Sequence, residues 1–428
     1  MWESFIEAVT KVNDWVNGVV WGWPMIIMIL GTGILLTVRT RVLQVRKFGE
    51  SMSTTIVPAV KDMGKKKNKK DKNAVSQFEA FSAAISGTVG TGNIIGVTSA
   101  ILTGGPGAVL WMWISAFFGM VTNYSENVLG LYYRKKEKDG SFSGGAFYYI
   151  ANGLKQRWLG MLAAIFCLLA AVGMSGVQTN KITGSYTSVL GNDSAAVKLI
   201  IGGIVAFFAA VVIIGGIKRI GRIASMLVPF MSLLFIAMAF VIIGKNYTAV
   251  PETFRLIFTS AFSSKAVAGG VGGFAFSQII KKGLARGVFS NEAGLGSSVI
   301  AHSASETREP VKQGLWGIFE VFFDTFVICT LTALVILTTN IGSGAYENGS
   351  FFGAKNAVGE FVGASDSATA LSAFSSNLGT FGTVTFLIIL PLFAFTTVLA
   401  WSYYGEKAVD FCFRHKPENT ICAPATPS

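Results

Sequence analysis

Long apolar runs alternate with short polar stretches along most of this chain. Nine runs stand out: 24–38, then about 77–102, 106–133, 157–190, 197–216, 222–244, 266–283, 312–339 and 379–404. A helix of about 20 apolar residues crosses some 30 Å of hydrocarbon, so the pattern predicts an all-α integral membrane protein. Ahead of the runs, Trp2, Phe5, Val9, Val12, Val16 and Val19 recur every three or four residues. That spacing predicts an amphipathic helix over 1–23, lying in the membrane interface or packed on the protein itself. It has no basic segment before its apolar residues, so it does not read as a secretory signal. The expected plan is an interfacial helix (1–23), a polytopic transmembrane domain (24–406) and a cytoplasmic tail (407–428).

Two runs depart from the chemistry of a continuous helix. In "SGTVGTGNIIG", Gly87, Gly90 and Gly92 are interleaved with Thr88, Thr91 and Asn93. In "AVAGGVGGFAFSQIIKKG", Gly269, Gly270, Gly272 and Gly273 crowd together. Glycine costs about 1 kcal/mol against alanine in a helix interior. With the first run set aside as an extra helix, these are the first and sixth spans of what remains. Broken helices at matching positions of two five-helix halves point to an inverted-repeat transporter. Unwound backbone is tolerated at membrane depth only where it faces protein or a wet cavity. A break creates a helix N-terminus, whose free N–H groups suit a carboxylate. It also creates a C-terminus, whose free carbonyls suit a small hard cation. A zwitterionic amino acid with Na⁺ is the cargo such a site fits.

Composition agrees with the membrane setting: 51% of residues are hydrophobic and 14% charged, against about 25% charged in soluble domains. The net charge of +12 is a matter of membrane orientation and gives no reason to expect nucleic acid. Residues 39–72 hold eleven Lys/Arg against three Asp/Glu, and further basic groups begin at Arg134, Lys218 and Lys281. The intervening loops are poor in Lys/Arg. Basic loops belong in the cytoplasm, so the N-terminus is expected outside a multi-pass protein of the cell (inner or plasma) membrane. Cys167, Cys329, Cys412 and Cys422 form no CxxC pair, and the histidines are His302 and His415 alone. An enzyme, a metal cluster and a disulfide framework are therefore not expected, nor an organic cofactor.

The stretches "GGPGAVLWMWISAFFG" from Gly104 and "GLARGVFSNEAGLGSS" from Gly283, together with "SGTVGTGN", resemble signatures of the alanine or glycine:cation symporter family (sodium:alanine/glycine symporters). The similarity runs from about Phe78 to Glu406. It implies a leucine-transporter-like inverted repeat of ten core helices with one extra N-terminal helix, and Na⁺ as coupling ion. On that resemblance, the backbone N–H groups of Thr91 and Gly92 meet the substrate carboxylate. The carbonyls of Ser86, Val89 and Phe393, with the hydroxyls of Thr396 and Thr397, hold Na⁺. Thr88 and Asn93 lie beside the substrate, near that fold's other sodium. Gly270, Gly272 and Gly273 line the opposite side, with Phe274 or Phe276 closing the pocket. Gln178 either contacts the substrate or bonds between helices. The expected cargo, alanine or glycine, comes from the resemblance, since the glycine lining alone sets no pocket size.

Glu320 and Asp324 are four residues apart and share a helix face. Asp324 lies twelve residues past Lys312, about 18 Å along a helix and so near mid-membrane. A carboxylate there costs about 2.5–3.5 kcal/mol, which favours a cation-linked role over structural pairing. Glu126 reads as structural, paired with Arg134 or Lys135. "NEAGLGSS" from Asn291 reads as an inner gate or as a plain helix-ending turn. After residue 404 the sequence offers no further span, and Pro417, Pro424 and Pro427 argue against one. The last two core helices are thus expected to be absent from this chain. The overall expectation is a symporter importing alanine or glycine with Na⁺ by alternating access. The alternatives are a same-fold transporter of another small substrate, an H⁺-coupled one, or a transport-impaired truncated chain.

Overall fold

Pro24 occupies the first turn of the second helix, where its missing N–H costs nothing, and this sets the boundary between α1 (Trp2–Val20) and α2 (Trp23–Arg39). The computed structural model describes residues 2–62, 75–138, 140–192, 194–262, 270–343, 354–355, 361–362 and 365–414. On α1 the apolar stripe faces outward: Val9, Val12, Trp15 and Val19 are all exposed. Two short helices, α3 (Leu43–Arg46) and α4 (Phe48–Asp62), follow in the basic stretch. Ser51 of α4 is buried and donates to the Leu315 carbonyl at 2.7 Å.

The core begins with α5 (Gln77–Thr88), which is capped by Ser76 and Glu79 in a reciprocal capping box. A π-helical turn over Gly92–Gly96 leads into α6 (Val97–Gly104), and α7 (Ala108–Tyr132) returns across the bundle. A hairpin of β1 (Lys135–Lys136) and β2 (Phe142–Ser143) and the short α8 (Ala146–Gly153) cap that end. Then come α9 (Arg157–Leu190), α10 (Ala195–Ile213), α11 (Gly216–Lys245) and α12 (Val250–Ala261). The second half holds α13 (Gly270–Asn291), α14 (Ser298–Ser303), α15 (Pro310–Val321), a π-helical stretch Phe322–Cys329 and α16 (Thr330–Gly342). Strands β3 (Ala354–Lys355) and β4 (Phe361–Val362) precede α17 (Asp366–Arg414), which kinks at Gly379 (φ 59°).

Glycines fix how α7 meets α13 and α14. A Cβ added to Gly283 would lie 2.5 Å from the Ala108 carbonyl oxygen, one on Gly119 3.1 Å from the Ala293 Cβ, and one on Gly130 2.1 Å from a Val299 methyl. The contacts rise together along both segments, from Ala108 with Gly283 to Gly130 with Val299, so α7 runs parallel to α13 and α14, at backbone distances only glycine allows. From Ala108 to Gly130 is about 33 Å of helix. The two ends of this packing are therefore a membrane thickness apart.

Two expectations are corrected by this layout. Lys281 and Lys282 do not belong to a loop on the side of Arg134. They sit on α13, where Lys282 packs against Gly104, at the opposite end of α7. A charge count assumes that lysines stand in loops, and here they stand on a helix that lines an open cavity. The discontinuity of the sixth core span also lies elsewhere. Gly270, Gly272 and Gly273 form the first turn of α13, which is unbroken to Asn291. The break comes at Glu292–Ser297, where Glu292 (φ 55°), Gly294 (φ 91°) and Gly296 (φ 71°) are all left-handed. Gly273 is 17 residues before Ser290, about 25 Å along the helix, so the glycine cluster does not line the second break. The side chains of Phe274 and Phe276 lie outside the described residues, and their positions on α13 are equally remote from it.

Candidate functional site

The first break starts where Val89 leaves the helix with ψ of 90°. The two halves, Gln77–Thr88 and Gly92–Gly104, meet at 45°. The freed backbone groups find side chains, as buried amides must. Gly90 N–H donates to Asn93 Oδ1 at 2.9 Å. Thr91 donates to Gln178 Oε1 on α9 from both its backbone N–H, at 3.1 Å, and its hydroxyl, at 2.7 Å. Gln178 thus holds one of the two N–H groups that the sequence suggests for a carboxylate. The Thr88 hydroxyl turns back to the Ile85 carbonyl at 3.2 Å. A Cβ on Gly92 would meet nothing closer than Phe289, at 3.9 Å, so this position faces open space.

Four oxygens converge where α17 crosses the end of α5. The Thr397 hydroxyl is 3.0 Å from the Ser86 carbonyl and 3.0 Å from the Phe393 carbonyl. The Thr396 hydroxyl is also 3.0 Å from the Phe393 carbonyl, and 3.7 Å from Met231 Sδ. All five of Ser86, Val89, Phe393, Thr396 and Thr397 are buried. A hydroxyl has one proton but two lone pairs, so Thr397 cannot donate fully to both carbonyls. Carbonyl and hydroxyl oxygens at this spacing are the donor set of a small hard cation.

A second polar cluster joins the two breaks to the π-helical stretch. Asn93 Nδ2 donates to Asp324 Oδ1 at 2.5 Å and lies 3.4 Å from Cys329 Sγ. Thr325 donates to Asp324 Oδ2 at 2.9 Å and accepts from Asn291 Nδ2 at 3.2 Å. Ser290 lies 3.2 Å from Cys329 Sγ. Asp324 and Asn93 are both fully buried. No lysine or arginine is bonded to Asp324 among the described residues, so its partners are neutral donors.

The second break has its own carboxylate. Glu292 is buried in a left-handed turn, and it accepts from Trp401 Nε1 at 3.1 Å and from the Ser297 hydroxyl. Glu126 accepts from the Gly294 N–H at 3.0 Å. It therefore steadies this break and does not pair with Arg134 or Lys135 as the sequence suggests. Arg134 instead donates to the carbonyls of Ser303 (3.1 Å), Ser305 (2.5 Å) and Thr307 (2.5 Å), sealing that end of the bundle. Burial lowers its guanidinium to about 10. Nearby, His302 is 2.9 Å from Glu320 and 2.7 Å from Gln313, all three fully buried. Glu320 thus faces α14 while Asp324 faces the first break. Phe289 and Ser290 carry no signal in the sequence that marks them as site residues, whereas Asn291 and Glu292 open the "NEAGLGSS" stretch that reads as an inner gate or a helix-ending turn. Gly294 and Gly296 in that stretch mark the second break, but the cluster Gly269–Gly273 upstream is denser in glycine.

Two half-helices whose inner ends meet at Asn93, Ser290 and Asp324 define a secondary-transporter architecture. The crystal structure of MhsT in complex with L-phenylalanine shares this fold, with a TM-score of 0.54 at 14% identity over 79% of this chain and 78% of that one. It is a leucine-transporter-like fold. The chain belongs to the sodium:alanine symporter family, whose model matches residues 6–424. Among its relatives, the sodium/alanine symporter AgcS of Methanococcus maripaludis is 38% identical over 95% of this chain and 84% of its own. An uncharacterized transporter of Haemophilus influenzae is 38% identical over 94% and 82%. The probable sodium/glutamine symporter GlnT of Bacillus subtilis is 35% identical over 94% and 77%. The chain is a multi-pass membrane transporter of an amino-acid family and not an enzyme.

Proposed function

We propose that the chain imports alanine or glycine together with Na⁺ by alternating access. The observation that carries this reading is the convergence of Ser86, Phe393, Thr396 and Thr397 beside a helix break that also borders the Asn93–Asp324 pair. One Na⁺ binds among the Ser86, Val89 and Phe393 carbonyls and the two threonine hydroxyls. The substrate carboxylate sits at the Thr91–Gly92 end of the π-helical turn, after Gln178 yields the Thr91 N–H. Asp324 with Asn93 and Ser290 faces the second cation or the amino group, and we assign it to the cation. AgcS bears a sodium/alanine name, which supports the ion and the cargo. GlnT bears a sodium/glutamine name, so the family spans more than one side-chain size, and the pocket decides between them.

With the N-terminus outside, the Gly104–Lys282 end of the bundle is external and the Arg134 end internal. The external end is then open by a cavity and the internal end closed by Arg134, an outward-facing arrangement. Replacing Gly92 by leucine fills the open space toward Phe289. Calorimetry in detergent should then show L-alanine binding in the native chain and none in Gly92→Leu. Native-like binding by that variant would refute the carboxylate assignment.

A further inference from the structure

A cavity of about 480 Å³ opens beside α6 and α13 at the Lys282 end of the bundle. Its wall carries Lys281, Lys282 and Arg286 from α13, Ser99 and Thr103 from α6, and Trp21 from the junction of α1 and α2. None of the described lining residues is acidic. Among the described residues, Lys281 and Lys282 make no ion pair. Three positive charges around one water-filled space raise its potential and draw anions into it.

Arg286 forms the floor of this space. Its Cζ lies 5.1 Å from the centre of the Phe289 ring, and one terminal nitrogen reaches the Gly92 carbonyl at 3.3 Å. Its Nε is buried and has no hydrogen-bond partner. A buried donor left open costs about 1–3 kcal/mol, and a guanidinium offers a planar fork that fits a carboxylate. Trp21 packs edge-on against Phe289 at 6.1 Å. Phe289 also borders the open side of Gly92. Phe289 therefore lies beside both the Arg286 guanidinium and the open side of Gly92, while Arg286 itself touches the first break at the Gly92 carbonyl. The backbone of Gly96 passes so near Arg286 that any Cβ there would overlap the guanidinium.

We infer that this cavity is a second, outer binding site for the α-carboxylate of the amino-acid cargo, with Arg286 as its ligand and Lys281 and Lys282 as its attracting field. The inference rests on the reading that the cargo is a small amino acid. The carboxylate pairs first with the Arg286 guanidinium at the cavity wall, and a turn of that side chain brings its unpartnered Nε–H into the pair. When Phe289 swings aside, it passes to the N–H groups of the first break, a short step away. The arrangement turns three charges, which otherwise repel one another, into a funnel that ends on the central site.

The test places a cysteine at Ser99, in the cavity wall, and follows its reaction with charged methanethiosulfonates above the background of the native cysteines. The anionic sulfonatoethyl reagent should react about tenfold faster than the cationic trimethylammonioethyl reagent, the scale expected for a few unit charges at contact distance in a wet site. L-Alanine and propionate should each slow the reaction, and Arg286→Gln should abolish that protection. Lys281→Gln/Lys282→Gln, which leaves the floor of the cavity intact, should shrink the preference for the anionic reagent and weaken protection without removing it. Absence of protection by either carboxylate, or equal protection in Arg286→Gln, overturns the inference. Protection by chloride without protection by carboxylates overturns it as well, because the site would then serve an inorganic ion. Propionate lacks the amino group, so its result stands whatever the cargo is. An error in the proposed cargo would show separately, as absent Na⁺-dependent L-alanine uptake by the same preparation.

Discussion

Gly90 sits where three helices leave no room. A Cβ added there would lie 2.5 Å from the Thr397 hydroxyl and 3.2 Å from Gln178 Nε2. Ordinary contact begins near 3.4 Å, so Thr397 must retreat by about 0.9 Å (3.4 − 2.5) in Gly90→Ala. That movement pulls its hydroxyl from the Ser86 and Phe393 carbonyls, each now 3.0 Å away. Forcing one extra methyl into a packed site costs about 1–3 kcal/mol. At 1.4 kcal/mol per tenfold, this corresponds to a roughly 5- to 150-fold loss of cation affinity if the strain is released by opening the site. Gly92→Ala is the control, because its Cβ meets nothing within 3.9 Å. The assay is the Na⁺ concentration for half-maximal L-alanine uptake, paired with the Na⁺-induced rise in melting temperature in detergent. Gly90→Ala should shift both and Gly92→Ala neither. Native Na⁺ dependence in Gly90→Ala would refute the placement of the cation beside Thr397.

Replacing Thr396 and Thr397 together by alanine removes two oxygens and little volume, so half-maximal Na⁺ should rise several-fold. An unchanged Na⁺ curve would place the ion elsewhere. Asp324→Asn keeps the shape and the Asn93 contact distance but removes the charge. It should alter Na⁺ activation more than L-alanine affinity, and the reverse pattern in paired Na⁺ and L-alanine titrations would show that Asp324 faces the amino group. Trp401→Phe takes away the indole N–H that Glu292 Oε1 accepts at 3.1 Å. It should cost about 1–3 kcal/mol, visible as a lower melting temperature, and an unshifted transition would show that Glu292 finds another donor without loss.

The first break was legible because glycines and small polar residues interrupt an otherwise apolar run, and a continuous helix gains nothing from them. The second was misplaced for the same reason. The cluster Gly269–Gly273 is denser in glycine than the stretch that breaks, yet Gly270–Gly273 start a helix. The true break depends on backbone torsion at Glu292, Gly294 and Gly296 and on the buried partners Ser297, Trp401 and Glu126. Those partners lie 5 residues, 109 residues and 166–168 residues away in sequence, and no local pattern reports them. Thr396 and Thr397 were assigned by resemblance alone, since two adjacent threonines in an apolar helix have no periodicity that marks them. Lys281 and Lys282 misled the charge count because a cavity, like a loop, brings water to a lysine. The sequence leaves Gln178 between substrate and helix pairing, and in this structure it accepts from Thr91.

The central claim is that an inward Na⁺ gradient drives amino-acid uptake through the site between the two breaks. The most direct measurement is accumulation of labelled L-alanine by proteoliposomes of this chain, with Na⁺ outside, with Na⁺ on both sides, and with a proton gradient in its place. The account predicts concentrative uptake under the Na⁺ gradient alone, loss of accumulation when Na⁺ is equal on both sides, and competition by glycine. Concentrative uptake driven by protons without Na⁺, or uptake that ignores both gradients, would contradict it.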